Sequence, residues 1–134
     1  MALTDDDARA IADDLLDAAK DIDKYLDDNW GSMSRVEYET LSESASTLLR
    51  ISSKMTTLAV GLSIEDMADD SAELKATIAQ ARKSLAKLKA VGKAIRVVAG
   101  LVDLATAIVS RDPKAIFNAA RGLHATATAA EAEA

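Results

Sequence analysis

From Ile64 to Val109, apolar residues return at alternating steps of three and four. The positions are Ile64, Met67, Leu74, Ile78, Ala81, Leu85, Leu88, Ile95, Ala99, Val102 and Val109, with Ser71, Gly92 and Thr106 in the remaining places. A helix of 3.6 residues per turn gathers such positions on one side, whereas a half-buried strand asks for alternation by two. No alternating run of Val, Thr and aromatic residues occurs anywhere in the chain. Five Gly and one Pro in 134 residues leave little material for turns, so the chain reads as helices with few breaks. Unbroken, a helix over 64–110 spans about 68 Å at 1.5 Å per residue. Gly92 costs about 1 kcal/mol relative to Ala inside a helix, which weakens such an element without stopping it. The Asp69-Asp70-Ser71 cluster is the other candidate interruption. The expectation is one long central helix, about 64–110, basic at first and then apolar.

The flanking segments carry their own boundary signals. Thr4 is a candidate N-cap, followed by Asp5, Asp6 and Asp7 in a first turn where free amides and the helix dipole favour anions. Ala8, Ile11, Leu15, Ala18, Ile22 and Tyr25 then form a heptad seam. The helix should end near Trp30-Gly31, with Gly31 suited to a left-handed position. Ser34 and Glu37 match a capping box. The helix behind it places Tyr38, Leu41, Ala45, Leu48, Met55 and Ala59 on a seam interrupted by Ser52, and closes at Gly61 or Leu62. Ser63 and Asp66 suggest the next cap. Asp112-Pro113 is a restart, Asp112 capping and Pro113 taking the first helical position. Ile116, Ala120, Leu123 and Ala127 follow on one face, and Ala125 to Ala134 is low in bulk and expected to fray. The fold class is therefore all-α: an antiparallel bundle of about four helices in one domain, 1–134. It comprises an acidic hairpin over 4–61, the long helix 64–110 and a short helix 113–128.

Charge divides along the chain. Residues 1–73 carry eighteen acids and six bases, net −12; residues 74–134 carry ten bases and four acids, net +6. Lys75, Arg82, Lys89, Lys93 and Arg96 fall on one side of the long helix, with Lys83 and Lys87 beside them. Such a stripe suits phosphates, but single-strand binding also wants aromatic side chains to stack on bases. None lies between Tyr38 and Phe117, and the chain is acidic overall, so nucleic acid is not an expected partner. The simpler reading is that the stripe faces the acidic first helix.

Chemistry is poorly served. Without Cys there is no disulfide, thiolate zinc site, thiol nucleophile or iron–sulfur cluster. His124 is the single histidine and has no Glu-x-x-His or His-x-x-x-His partner, so it reads as a solvent-facing residue near a helix end. The acidic pairs Asp13-Asp14, Asp27-Asp28 and Asp69-Asp70 lack the alternating ligands of a calcium loop. Gly92-Lys93 lacks the remainder of a phosphate loop. No catalytic, cofactor or metal site is expected, and the chain reads as non-enzymatic.

Ala90 to Ser110 is the most apolar stretch, with Lys93, Arg96, Asp103 and Thr106 as a narrow polar strip. Its length suits a membrane span, but Arg96 and Asp103 each carry a penalty of a few kcal/mol near the middle. Three fates follow: the central helix of the bundle, packing against a second copy or a partner, or entry into a bilayer after rearrangement. A long helix leaves too few others to cover this end, so self-association is expected. The leading function is an adaptor, inhibitor or assembly subunit. Its contact residues would be Ile95, Val98, Leu101, Val102 and Ile108, with Lys89, Lys93 and Arg96. The partner is a further copy or another protein. The alternative is a membrane-active protein that docks residues 90–110 on anionic lipid. Met1 to Asp14 is acidic and lacks the pattern of a secretory signal peptide. Cytoplasmic residence is the expectation, with export by another route left open.

Overall fold

The computed structural model describes residues 3–57 and 71–132. Every regular element among them is helical: α1 (Asp5–Asn29), a 3-10 turn (Trp30–Ser32), α2 (Arg35–Thr57), α3 (Ser71–Lys87), α4 (Val91–Ser110) and α5 (Pro113–Ala132). The expected end of the second helix at Gly61 or Leu62, the cap at Ser63 and Asp66, and Ala59, Ile64 and Met67 lie outside the described residues. The Asp69-Asp70 pair does too.

Local chemistry sets the starts of α1, α2 and α5. The Thr4 hydroxyl accepts from the Asp7 amide at 3.2 Å, and the Asp7 carboxylate accepts from the Thr4 amide at 3.0 Å. Ser34 and Glu37 repeat the exchange at 3.1 and 2.8 Å. The Asp112 carboxylate accepts from the amides of Lys114 and Ala115 at 3.0 and 3.4 Å. Each device satisfies amides that the first turn leaves free. Gly31 departs from expectation: no described glycine has a positive φ. The end of α1 tightens into the 3-10 turn, with the Met33 amide donating to the Trp30 carbonyl, so no left-handed residue is used there. The left-handed cap closes α4 instead, at Arg111 with φ 60°.

The single helix over 64–110 is not formed. Its chain breaks at Leu88 to Ala90, two residues before Gly92, and α3 and α4 are separate helices. The buried positions show why. In α3 they are Leu74, Ile78, Ala81, Leu85 and then Leu88; in α4 they are Val91, Ala94, Val98, Leu101, Ala105 and Ile108, with Val97 and Leu104 beside them. The α4 seam thus runs one residue ahead of the projected one through Ile95, Ala99, Val102 and Val109. A straight helix cannot bury both halves on one face, and the turn resets the phase. Among the described residues the bundle has five α-helices, not about four.

Successive helices run in opposite directions and are ordered around a ring as α1, α2, α4, α5 and α3. The ring closes where α3 meets α1, and α3 also touches α4. Residues from all five helices contribute to one buried apolar cluster. Small residues stand at several helix contacts. The buried Ser52 hydroxyl, which interrupts the α2 seam, donates to the Ala12 carbonyl of α1 at 2.7 Å. The buried Ser84 hydroxyl donates to the Ala127 carbonyl of α5 at 3.4 Å. Gly100 meets α5 directly; a β-carbon there would stand 2.9 Å from Leu123 Cδ1. α5 continues to Ala132, beyond the expected 128, because Ala127 and Ala130 are buried. The expectation that the apolar end lacks cover is corrected by α4 being enclosed by α2, α3 and α5.

Candidate interaction surface

The expected contact residues divide by face. Val98, Leu101 and Ile108 are fully enclosed in the core, and Ile95 and Val102 are half-buried at its margin. Lys89 and Arg96 are exposed and Lys93 is half-buried. Arg96, Asp103 and Thr106, three of the four polar residues of this stretch, form the outward strip of α4. The segment 90–110 is therefore inner wall on one side and polar surface on the other. Among the described helices none is long and apolar enough to cross a membrane.

The basic stripe meets the acidic helix through Arg82, with Lys75 close enough to act on Asp14. Arg82 Nε donates to Asp21 Oδ2 at 2.6 Å, and Nη1 lies 4.0 Å from Asp17 Oδ2. The Asp21 hydrogen bond holds the guanidinium above its ordinary pKa, against burial, which acts to lower it. Asp14, one turn before Asp17, is pushed up chiefly by burial; Lys75 and Arg82 oppose this, and Asp17 and Asp13 add to it. Across the bundle, His124 Nδ1 donates to Gln80 Oε1 at 2.8 Å, and Gln80 Nε2 donates to Thr128 Oγ1 at 3.0 Å. The exposed histidine is thus part of a clasp between α3 and α5, a pairing across 44 residues that local spacing does not reveal.

Among the described residues, exposed aromatic side chains gather at the tip of the α1–α2 hairpin. Three of the four aromatic residues fall between 25 and 38. Tyr25 is buried at the end of α1, and its hydroxyl has no hydrogen-bond partner among the described residues. Burial, and then the charge of Glu37, raises its pKa. Trp30 is 70% exposed and Tyr38 43% exposed. Tyr38 was expected on the α2 seam; it stands at the seam's edge because the buried face of α2 centres on Leu41, Ala45 and Leu48. Trp30 and Tyr38 flank a concavity of about 620 Å³ over Leu26 and Met33, with Asp27, Ser34, Arg35 and Glu39 around it. Val36, also exposed, lies on the other side of α2.

Folding places these groups for local reasons. Trp30 sits just past the last turn of α1, outside the heptad seam, so no core position claims it. Arg35 is held by Glu39 at 3.1 Å on the exposed first turns of α2. The last turn of α1 contains no base. Asp27 and Asp28 therefore stand at the negative pole of that helix. Such a site offers aromatic and apolar contact beside net negative charge. Heptad spacing missed it; the density of aromatics on either side of one turn was the signal. Among the described residues no group of three or more His, Asp or Glu is placed to hold a metal ion. Comparison with protein-family models, with curated proteins and with solved structures finds no match.

Proposed function

We propose that this chain is a non-enzymatic interaction protein, a helical scaffold that presents the α1–α2 tip to a protein partner. One observation carries the reading: Trp30 is 70% exposed beside a concavity that Tyr38 also borders. Binding energy in protein interfaces concentrates on Trp, Tyr and Arg seated near a pocket, and exposed apolar patches mark such places. The residues of 90–110 serve this function indirectly, as the wall against which the hairpin packs. Assembly through a further copy of the chain is one form of the same role.

The test is photocrosslinking with p-benzoylphenylalanine at Arg35, which borders the concavity, in the cells that make the protein. The expected result is a discrete adduct that disappears with Trp30→Ser and is absent when the crosslinker stands at Thr106, on the outward strip of α4. An adduct with a second copy supports an assembly subunit. Equal labelling at Arg35 and Thr106, or no adduct at Arg35, overturns the reading.

A further inference from the structure

We infer that the tip takes a cationic amphipathic helix, seated along the outer groove between α1 and α2 with its basic end against the C-terminus of α1. This rests on reading the tip as the contact surface and names the chemistry of the partner.

Shape comes first. Tyr38 and Leu49 are exposed on the same side of α2. They stand three turns apart, about 16 Å at 1.5 Å per residue. Leu16, half-buried on α1, and Trp30, in the 3-10 turn that follows that helix, lie about four turns apart along the chain. Two antiparallel helices with apolar residues spaced at whole turns form a groove of the kind that accepts the apolar ridge of a third helix. At the tip the two helices border the concavity over Leu26 and Met33, which is open to a large apolar side chain.

Charge then chooses among amphipathic helices. From 23 to 39 the chain carries Asp23, Asp27, Asp28, Glu37 and Glu39 against Lys24 and Arg35, and Arg35 is already engaged by Glu39. The C-terminal carbonyls of α1 add partial negative charge in the same place, and no base in its last turn offsets them. Like charges so arranged repel one another until a cation arrives. Lys or Arg on the incoming helix relieves that repulsion while its apolar face covers Trp30 and Tyr38. The same acids oppose an anionic lipid surface and an acidic partner.

Trp30 is the only tryptophan, so its emission reports the site directly. The experiment titrates the full chain with a Leu/Lys amphipathic peptide of about four turns. Parallel arms use a Leu/Glu peptide of the same pattern, phosphatidylglycerol vesicles, and the protein alone over a concentration series with molar mass recorded. The expected result is a saturable blue shift with the Leu/Lys peptide alone. Affinity should fall at least tenfold in Asp27→Asn/Asp28→Asn and in Tyr38→Ala. The control Asp6→Asn/Asp13→Asn, at the far end of α1, should leave it unchanged, with thermal melts showing that each variant is folded. No saturable response to the Leu/Lys peptide overturns the proposal. So does an equal response to both peptides, equal loss in the far-end control, a blue shift with vesicles alone, or one that tracks a rise in molar mass. If the Arg35 adduct forms while the peptide fails, the partner chemistry falls and the interaction reading stands.

Discussion

Asp14 and Asp21 lie two turns apart on α1, face the same cations of α3, and respond to opposite forces. Asp21 receives the short hydrogen bond from Arg82, so the pair gains charge-assisted bonding at moderate desolvation cost. Asp21→Asn should cost about 1 kcal/mol in low salt and less in molar salt, where the Debye length is about 3 Å. Among the described residues Asp14 has no such bond, and burial raises its pKa above the ordinary 3.8. Its native state therefore binds a proton more tightly than its unfolded state, so stability falls as pH rises from 3.8 through the raised value. Asp14→Asn should raise the urea midpoint at pH 7 and give no gain near pH 3, where both states of the wild type are protonated. Arg111 offers a third test. Its left-handed backbone costs a side chain roughly 1 kcal/mol, and the added flexibility of Gly returns about half to the unfolded state. Arg111→Gly should raise the melting temperature by about 2 °C.

At the scale of elements, caps and turns were more legible than phase. Thr4, Ser34 with Glu37, and Asp112 act within three residues of themselves, so sequence exposes them fully. The phase of α4 depends on distant partners. Ile95, Val102 and Val109 are as apolar as Val98, Leu101 and Ile108, and seam spacing alone chose the former set. The polar strip held the better information, because Arg96, Asp103 and Thr106 point outward and the buried residues lie opposite them. The break at Leu88 to Ala90 has no Pro and no Gly; tertiary packing imposes it. Its weakness shows at the start of α4, where Ala90 is the N-cap and no side chain bonds the free amides. Ala90→Ser should stabilise the bundle by about 1 kcal/mol, read as a shift in denaturation midpoint without change of slope. Leu101→Ala should cost about 2–5 kcal/mol and Val102→Ala clearly less. Equal losses would place the seam where periodicity first put it. Helical spacing passes over the tip for a related reason: it seeks buried residues, and Trp30 is largely exposed, so only the clustering of aromatics around the turn marks the place.

For the whole molecule, the question is whether the most apolar segment is spent inside one chain or between chains. The chain exposes 7058 Å², close to the roughly 6700 Å² expected of a compact monomer of this mass. Val98 and Leu101 contribute nothing to that surface. A carboxylate at either position would be buried without a partner, at a cost of several kcal/mol, against a total stability of about 5–15 kcal/mol for a typical domain. Val98→Glu and Leu101→Glu should therefore abolish the cooperative thermal transition and most of the helical circular dichroism. Thr106→Glu, on the outward strip, should leave both intact. Molar mass measured on the same samples discriminates the alternative. If the segment joined two copies, the wild type would be an oligomer and Leu101→Glu a helical monomer with its own cooperative melt. That pair of results would move residues 90–110 from the core of one bundle to the interface between two. It would also make the hairpin tip a secondary surface. Unfolding of both Glu variants from a monomeric wild type leaves the tip, among the described residues, as an apolar surface for a partner to cover.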